Sequence, residues 1–367
     1  MTTSFDVIVI GGGALGASCA RELALEGRRV LVLEPGGERG QAWRAAAGML
    51  APQIETDYFE PLYELGVAGR ERYADLAREL LETTGIDIGL WREGIARVAT
   101  DETEAHQLRD NVSYQRQQGH RCDWLDAEEV RERWPWVRPV LGALWAPHDG
   151  ALDPGQLVTA LLADASRLGA TVVPAAATAV LREGDRVTGV VAGERYAAGD
   201  VVVAAGAWSG RIEGLPRPLS VEPVRGQMAT LPWPAEMRRA ILYHRDCYVL
   251  ARGTEALFGS TMEYAGYDAS VTDAGQRAIR DGVRILSPGM AAAAPLRTWA
   301  GLRPVTPDGL PILGPAPDFS HLWYACGHGR NGILLAGISA VLLHQMIKGE
   351  PVHEHVKAFR PSRMWLW

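Results

Sequence analysis

The stretch GGGALG sets three glycines at the spacing G-x-G-x-x-G, as Gly11, Gly13 and Gly16. That spacing suits the grip on a dinucleotide. The first glycine permits a tight turn, the second lets a pyrophosphate lie against backbone, and the third lets a helix close on a strand. The helix that begins there turns its free N–H groups and its dipole toward the phosphates. Glu34 follows about 20 residues on, where a carboxylate takes ribose hydroxyls. An acid there argues against a 2′-phosphate, and so against NADP. These features do not separate FAD from NAD.

A second chemical candidate is Arg303, in WAGLRPVTPDGLPILG (Trp299 to Gly314). A planar guanidinium is the natural bidentate partner of a carboxylate. Pro304, Pro307 and Pro311 crowd around it, and the stretch reads as neither a clean strand nor a helix. We expect a stiffened loop that presents one guanidinium to a ligand with little entropy left to lose. Three other segments favour a flavin. AAAGML (Ala45–Leu50) offers small residues that let backbone lie on a flat ring, with Met49 over it. VVVAAGAWS (Val201–Ser209) is a buried strand ending in small residues. GHGRNGI places a helix N-terminus at Asn331–Gly332, where a reduced flavin gathers negative charge.

The elements that position these residues are legible from pattern. Phe5–Ile10 is an unbroken apolar run, as in a buried parallel strand. Ala14–Gly27 reads as a helix and Arg29–Leu33 as a second strand, completing a βαβ unit. Two helices are expected across Pro61–Thr84. Asp153-Pro154 opens another, with an acidic cap before a first-turn proline. Trp323–Ala325 reads as a strand and Ile333–Lys348 as a helix. Between these lie two stretches of shorter, alternating strands. The expected fold is α/β plus antiparallel β. A Rossmann-like dinucleotide domain comprises residues 1–85, 147–215 and 296–367. An interleaved α+β substrate domain comprises 86–146 and 216–295.

Composition narrows the function classes. The chain has 367 residues and a formal net charge of −7, a poor match to nucleic acid or anionic membrane. Lysine occurs only at Lys348 and Lys357, which argues against a lysine Schiff-base enzyme. Cys19, Cys122, Cys247 and Cys326 are widely spaced, as in a reducing compartment. MTTSFDVIVIGGG carries no basic leader, and no run of about 18 uncharged apolar residues appears, so a cytoplasmic protein without a transmembrane helix is expected. His353 and His355 form the one close histidine pair, read as solvated surface, and no metal is expected. Neither a G-x-S-x-G elbow nor a Walker A motif is present.

Taken together, GGGALG, AAAGMLAP, VVVAAGAWSG, EPVRGQM, LYHRDCYVLAR, WAGLRPVTPDGLPILG and GHGRNGILLA resemble the glycine oxidase family of thiamine biosynthesis, within the D-amino-acid oxidase and sarcosine oxidase group. The resemblance spans Asp6 to about Arg363. It implies FAD, an amino-acid substrate, oxygen as acceptor with hydrogen peroxide as product, and a homotetramer. It assigns substrate carboxylate binding to Arg303 and Tyr248, and places Met262, Tyr243 and Arg330 around the substrate. It implies cofactor contacts at Gly11, Gly13, Ala14, Gly16, Glu34, Ala46, Ala47, Gly48, Met49, Val173, Ala205, Gly206, Trp208, Gly329, Arg330, Asn331, Gly332 and Ile333. Two residues depart from the family pattern: Asp246 stands where a histidine is expected, and Arg44 where a small hydroxyl residue is expected. Relatives that attach flavin covalently use a cysteine near Leu302–Pro304. This chain has none there, so FAD is expected to be non-covalent.

Overall fold

A computed structural model describes residues 4–37, 40–55, 61–245 and 247–365. The first apolar run forms the strand Ser4–Ile10, central in an eight-stranded sheet. Glu194–Val203 and Val30–Leu33 flank it in parallel, with Val203 and Leu33 both level with Ile10. Thr171–Val173 and Leu322–Cys326 extend the sheet in parallel on either side. Ile312–Pro315 closes one edge antiparallel.

Side chains on a strand alternate between faces. Val7, Val9, Val30, Val32 and Val202 pack into a core with Ala17, Tyr73, Leu157 and Leu335 from four helices. Ile8, Ile10, Leu31, Leu33, Val201 and Val203 fill the opposite face with Val187, Val190 and Tyr324. Burial on both faces explains why these strands show no polar alternation.

The helices follow their local signals with one exception. Asp153 caps Pro154–Arg167 by accepting from the Gly155 and Gln156 amides. Pro61–Thr84 is one helix of 24 residues, not two. Its glycines serve close packing instead of a break: a Cβ on Gly69 would lie 2.5 Å from the Leu334 carbonyl oxygen. The segment Gly329–Ile347 is long and apolar enough, by length and composition, to cross a membrane. Here Gly332–Ile347 contributes Leu334, Leu335, Ala336, Ala340 and Leu343 to the core shared with Ala14–Leu25 and Pro61–Thr84.

The second eight-stranded sheet runs Arg297–Val305, Glu222–Pro232, Glu255–Gly259, Cys247–Arg252, Ile241–His244, Ile95–Ala99, Gly142–Ala146, Asp123–Asp126. All neighbours are antiparallel except Ile241–His244 with Ile95–Ala99. One face is covered by the helix Asp273–Leu286 through Ile279 and Val283. The other, with Ile241, Tyr243, Tyr248 and Leu250, packs against Ala47, Ala51 and Ile54.

The stretch around Arg303 corrects the expected loop. Arg297–Val305 is a nine-residue strand at the edge of the second sheet, paired along its length with Glu222–Pro232. Proline is tolerated at an edge, where its missing N–H costs no ladder bond, and this is how Pro304 enters a strand. Residues 297–305 therefore pair within the second sheet, although the expected boundary groups 296–367 with residues 1–85 and 147–215.

Gly16 shows how tightly the first turn is built. A Cβ there would lie 1.8 Å from the Gly11 carbonyl oxygen. Gly16→Ala is expected to cost on the order of 1–3 kcal/mol, measurable by urea denaturation, and to weaken dinucleotide affinity in the same protein.

Candidate active site

A cavity of about 500 Å³ opens between the two sheets. The first sheet supplies one wall. Gly11 adopts φ +101°, and a Cβ on it would lie 2.6 Å from the Ala204 carbonyl oxygen. Gly13 precedes the helix Ala14–Leu25, and Gly13 and Ala14 both line the cavity. The Glu34 carboxylate lines it too, held by the Gly12 amide at 2.6 Å, the Gly36 amide at 3.1 Å and the Gln41 side-chain amide at 2.6 Å. Ala46, Ala47, Gly48 and Met49 follow along the wall, then Ala205, Gly206 and Trp208. Gly329, Arg330, Asn331, Gly332 and Ile333 complete it, as a short 3-10 turn feeding the helix Gly332–Ile347.

Two expected contacts lie off this wall. Gly16 is taken up by helix-to-turn packing. Val173 stays in its strand, where its carbonyl accepts from the Glu34 amide at 3.1 Å, and the wall passes instead through Ala176, Ala177 and Thr178. Arg44 does not line the cavity either. It stacks on Trp43 at 4.2 Å and donates to Gln41 Oε1 at 2.6 Å. Asp246 lies outside the described residues.

The residues fit the expected dinucleotide. Trp43 lines the cavity, and its indole Nε1 is buried with no hydrogen-bond partner among the described residues. That nitrogen lies 3.7 Å from where a Gly13 Cβ would stand. A buried donor left unpaired is costly, and a phosphate oxygen against Gly13 would satisfy it. The sequence reading missed Trp43.

The second sheet supplies the opposite wall by strand alternation. Tyr243 and Tyr248 are a cross-strand pair, so they share a face, with ring centroids 5.4 Å apart. Arg303 pairs with Val224, Gly301 with Gly226, and Trp299 with Met228, so these six residues also share one face. The Tyr248 hydroxyl contacts Met228 Sδ at 3.2 Å. Glycine at 226 leaves room for the guanidinium: a Cβ there would lie 2.2 Å from Arg303 Nη1.

Arg303 donates to the Thr261 carbonyl at 3.0 Å and to Ser260 Oγ at 2.5 Å, both neutral. No carboxylate forms an ion pair with it among the described residues. Burial lowers its pKa from the ordinary guanidinium value, the mark of a cation short of counter-charge. Burial likewise raises the Tyr248 pKa, keeping the hydroxyl protonated. Met262 lines the cavity but is 62% exposed, which puts it at the mouth.

Arg330 is different. It meets Glu55 Oε1 at 3.0 Å, and the Tyr243 hydroxyl donates to the same oxygen. Glu55 raises the Arg330 pKa, and burial followed by Glu55 raises that of Tyr243. Glu55 lines the cavity at the end of the short helix Pro52–Glu55, and the sequence reading missed it. The substrate end thus holds two cations, Arg303 and Arg330, and one anion, with the anion committed to Arg330.

His328 bonds Ser339 Oγ through Nε2 at 3.1 Å, and burial pushes its pKa down to about 3, so it stays neutral. Cys326 is the one described cysteine lining the cavity, and burial pushes its thiol up to about 12. A thiol held protonated is a poor nucleophile.

Known proteins place this arrangement. A family model described as FAD dependent oxidoreductase matches residues 6–346. Glycine oxidase of Geobacillus kaustophilus is 34% identical over 356 residues, covering 95% of this chain and 94% of that protein. The crystal structure of glycine oxidase from the same organism superposes with a TM-score of 0.91 at 33% identity, covering 98% of each chain. Hydrogen cyanide synthase subunit HcnC of Pseudomonas aeruginosa is 30% identical, covering 99% of this chain and 97% of that one. The bifunctional protein ThiO/ThiG of Synechocystis sp. is 32% identical, covering 99% of this chain and 54% of that one.

Two outcomes are expected. Gly226→Ala should raise KM for substrate by roughly tenfold through displacement of the guanidinium, with the flavin absorbance of the purified protein unchanged. Acid precipitation should release all the flavin into the supernatant, since no cavity thiol is poised to attach it.

Proposed function

The chain belongs to the FAD-dependent oxidoreductases, and on that premise we propose that it oxidises glycine or another small amino acid. The product is the oxo acid and ammonia, with oxygen reduced to hydrogen peroxide. The observation that carries the reading is Arg303: a half-buried guanidinium that faces the cavity with only neutral partners. The similarity to glycine oxidase supports the substrate class.

FAD, when bound along Gly11–Ala14, Ala46–Met49 and Gly329–Ile333, supplies the two-electron acceptor that oxygen then re-oxidises. The protein's residues do the rest. Arg303 takes the substrate carboxylate, and the protonated Tyr248 hydroxyl beside it donates a further hydrogen bond. Glu55 neutralises Arg330, so the substrate end carries one net positive charge. That charge favours an amino acid bound as its anion, with the amine neutral and its lone pair available when the Cα–H bond breaks. A side-chain base at the reacting carbon is not needed. Glu55 is occupied by Arg330 and Tyr243, and His328 is turned to Ser339. Catalysis then rests on orientation and electrostatics. Water hydrolyses the imine, and glycine yields glyoxylate.

The family resemblance and the similarity to ThiO/ThiG support a role in forming the thiazole of thiamine. A cytoplasmic homotetramer belongs to the same proposal, on the resemblance alone. A second reading keeps the flavin chemistry and changes the substrate or the acceptor, to sarcosine, D-amino acids or aminophosphonates, or to a dehydrogenase. The similarity to HcnC favours keeping it.

The test is anaerobic. Excess glycine should bleach the yellow protein, and air should restore the colour with one peroxide per glyoxylate. A protein bleached by another amine, or one whose colour air fails to restore, would move the assignment to the second reading. Arg303→Ala should raise KM by roughly 100-fold, the loss of about 3 kcal/mol of charge-assisted hydrogen bonding, with FAD retained. Unchanged amino-acid kinetics would exclude Arg303 as the carboxylate site.

A further inference from the structure

Glu55 reaches the cavity from a turn too short to hold itself. The helix Pro52–Glu55 has four residues, and the first amides of a helix lack intrahelical acceptors. Here the Gln53 and Ile54 amides both donate to Asp149 Oδ2, at 3.1 Å each. Asp149 is wholly buried. Its other oxygen accepts from Arg70 Nη1 at 2.7 Å, and the same nitrogen donates to Gln53 Oε1 at 2.7 Å. The Gln53 side-chain Nε2 donates to Gln115 Oε1 at 2.9 Å and to the Arg121 carbonyl at 3.0 Å. Gln115 returns a bond to the Gln53 carbonyl at 2.8 Å. Of these residues only Glu55 lines the cavity.

A buried ion pair seldom adds net stability over an apolar pair of the same size. What this one does locally is fix the orientation of a single turn. We propose that Asp149, clamped by Arg70, is a positioning residue for the substrate site. It sets where the Glu55 carboxylate stands, and thereby which arginine is left free for the substrate. With Glu55 in place, Arg330 is neutralised and the carboxylate goes to Arg303. With Glu55 displaced, both guanidinium groups compete for it, and the fraction bound on Arg330 is misoriented. The inference rests on the amino-acid oxidase reading above.

Competition of this kind has a kinetic signature. Unproductive binding lowers kcat and KM together, whereas loss of a true contact raises KM. Two paired variants isolate the cap without stranding a buried charge. Asp149→Asn with Arg70→Met keeps an acceptor oxygen for the two amides. Asp149→Ala with Arg70→Met removes it. In the FAD-loaded enzyme the alanine pair should lower kcat and KM by about fivefold each and tighten acetate by a similar factor, read from flavin absorbance. The asparagine pair should stay within about twofold of wild type. In a Glu55→Gln background the alanine pair should add less than about twofold, because coupled residues do not act independently.

The proposal is overturned if the alanine pair changes nothing, raises KM, or acts as strongly without Glu55. If that pair gives no folded flavoprotein, Asp149→Ser with Arg70→Met, whose hydroxyl falls short of both amides, is held to the same criteria. A wild type that oxidises no amino acid would sink the oxidase reading, while the acetate titrations would still judge Asp149.

Discussion

A guanidinium half withdrawn from water and offered only neutral acceptors is a standing electrostatic debt, and Arg303 is in that position. Two uncharged oxygens, from Thr261 and Ser260, hold it in place without discharging it. Removing a charge from water costs several kcal/mol even after relaxation. The rest of the site makes sense as the means of bearing that cost until an anion arrives. An edge strand fixes the arginine's backbone, Gly226 vacates the space the guanidinium fills, and Glu55 silences the second cation nearby. Had the anion been placed beside Arg303 instead, the cavity would have satisfied itself.

The two sheets divide the labour. The parallel sheet offers backbone: glycine turns and helix N-termini along the cofactor wall. The antiparallel sheet offers side chains, and its strict alternation brings Arg303, Tyr243 and Tyr248 to one face. Because the chain crosses between the sheets several times, one short turn, Pro52–Glu55, can reach both Tyr243 of the second sheet and Arg330 in the turn that follows the first sheet's strand Leu322–Cys326. Its amides answer to Asp149 while its last carboxylate answers to Tyr243 and Arg330.

Much of this was legible in residues with local rules. GGGALG, Glu34, the apolar runs of the parallel strands and the Asp153 cap each carry their meaning within a few positions. Arg303 was legible as a residue, though not as part of a strand. Three prolines outweighed the strand pattern, since nothing local says that Pro304 occupies an edge. Glu55 was not legible at all. It is one of 44 acidic residues, and its partners lie 188 and 275 positions away. Gly226 and Trp43 were missed for the same reason, because their importance lies in what the fold sets against them. Val173 came only from the family resemblance, and in the structure the cavity wall runs just beyond it, at Ala176 and Ala177.

The helix Gly332–Ile347 begins at the cavity and ends beside Lys348. Sixteen residues at 1.5 Å each put about 24 Å between its two ends. Lys348 and Lys357 are the only lysine side chains in the chain. A tether on the Lys348 amine would therefore grip this protein at the far end of that helix. A molecule held on an electrode or a bead by Lys348 would be tethered one helix length from its cavity.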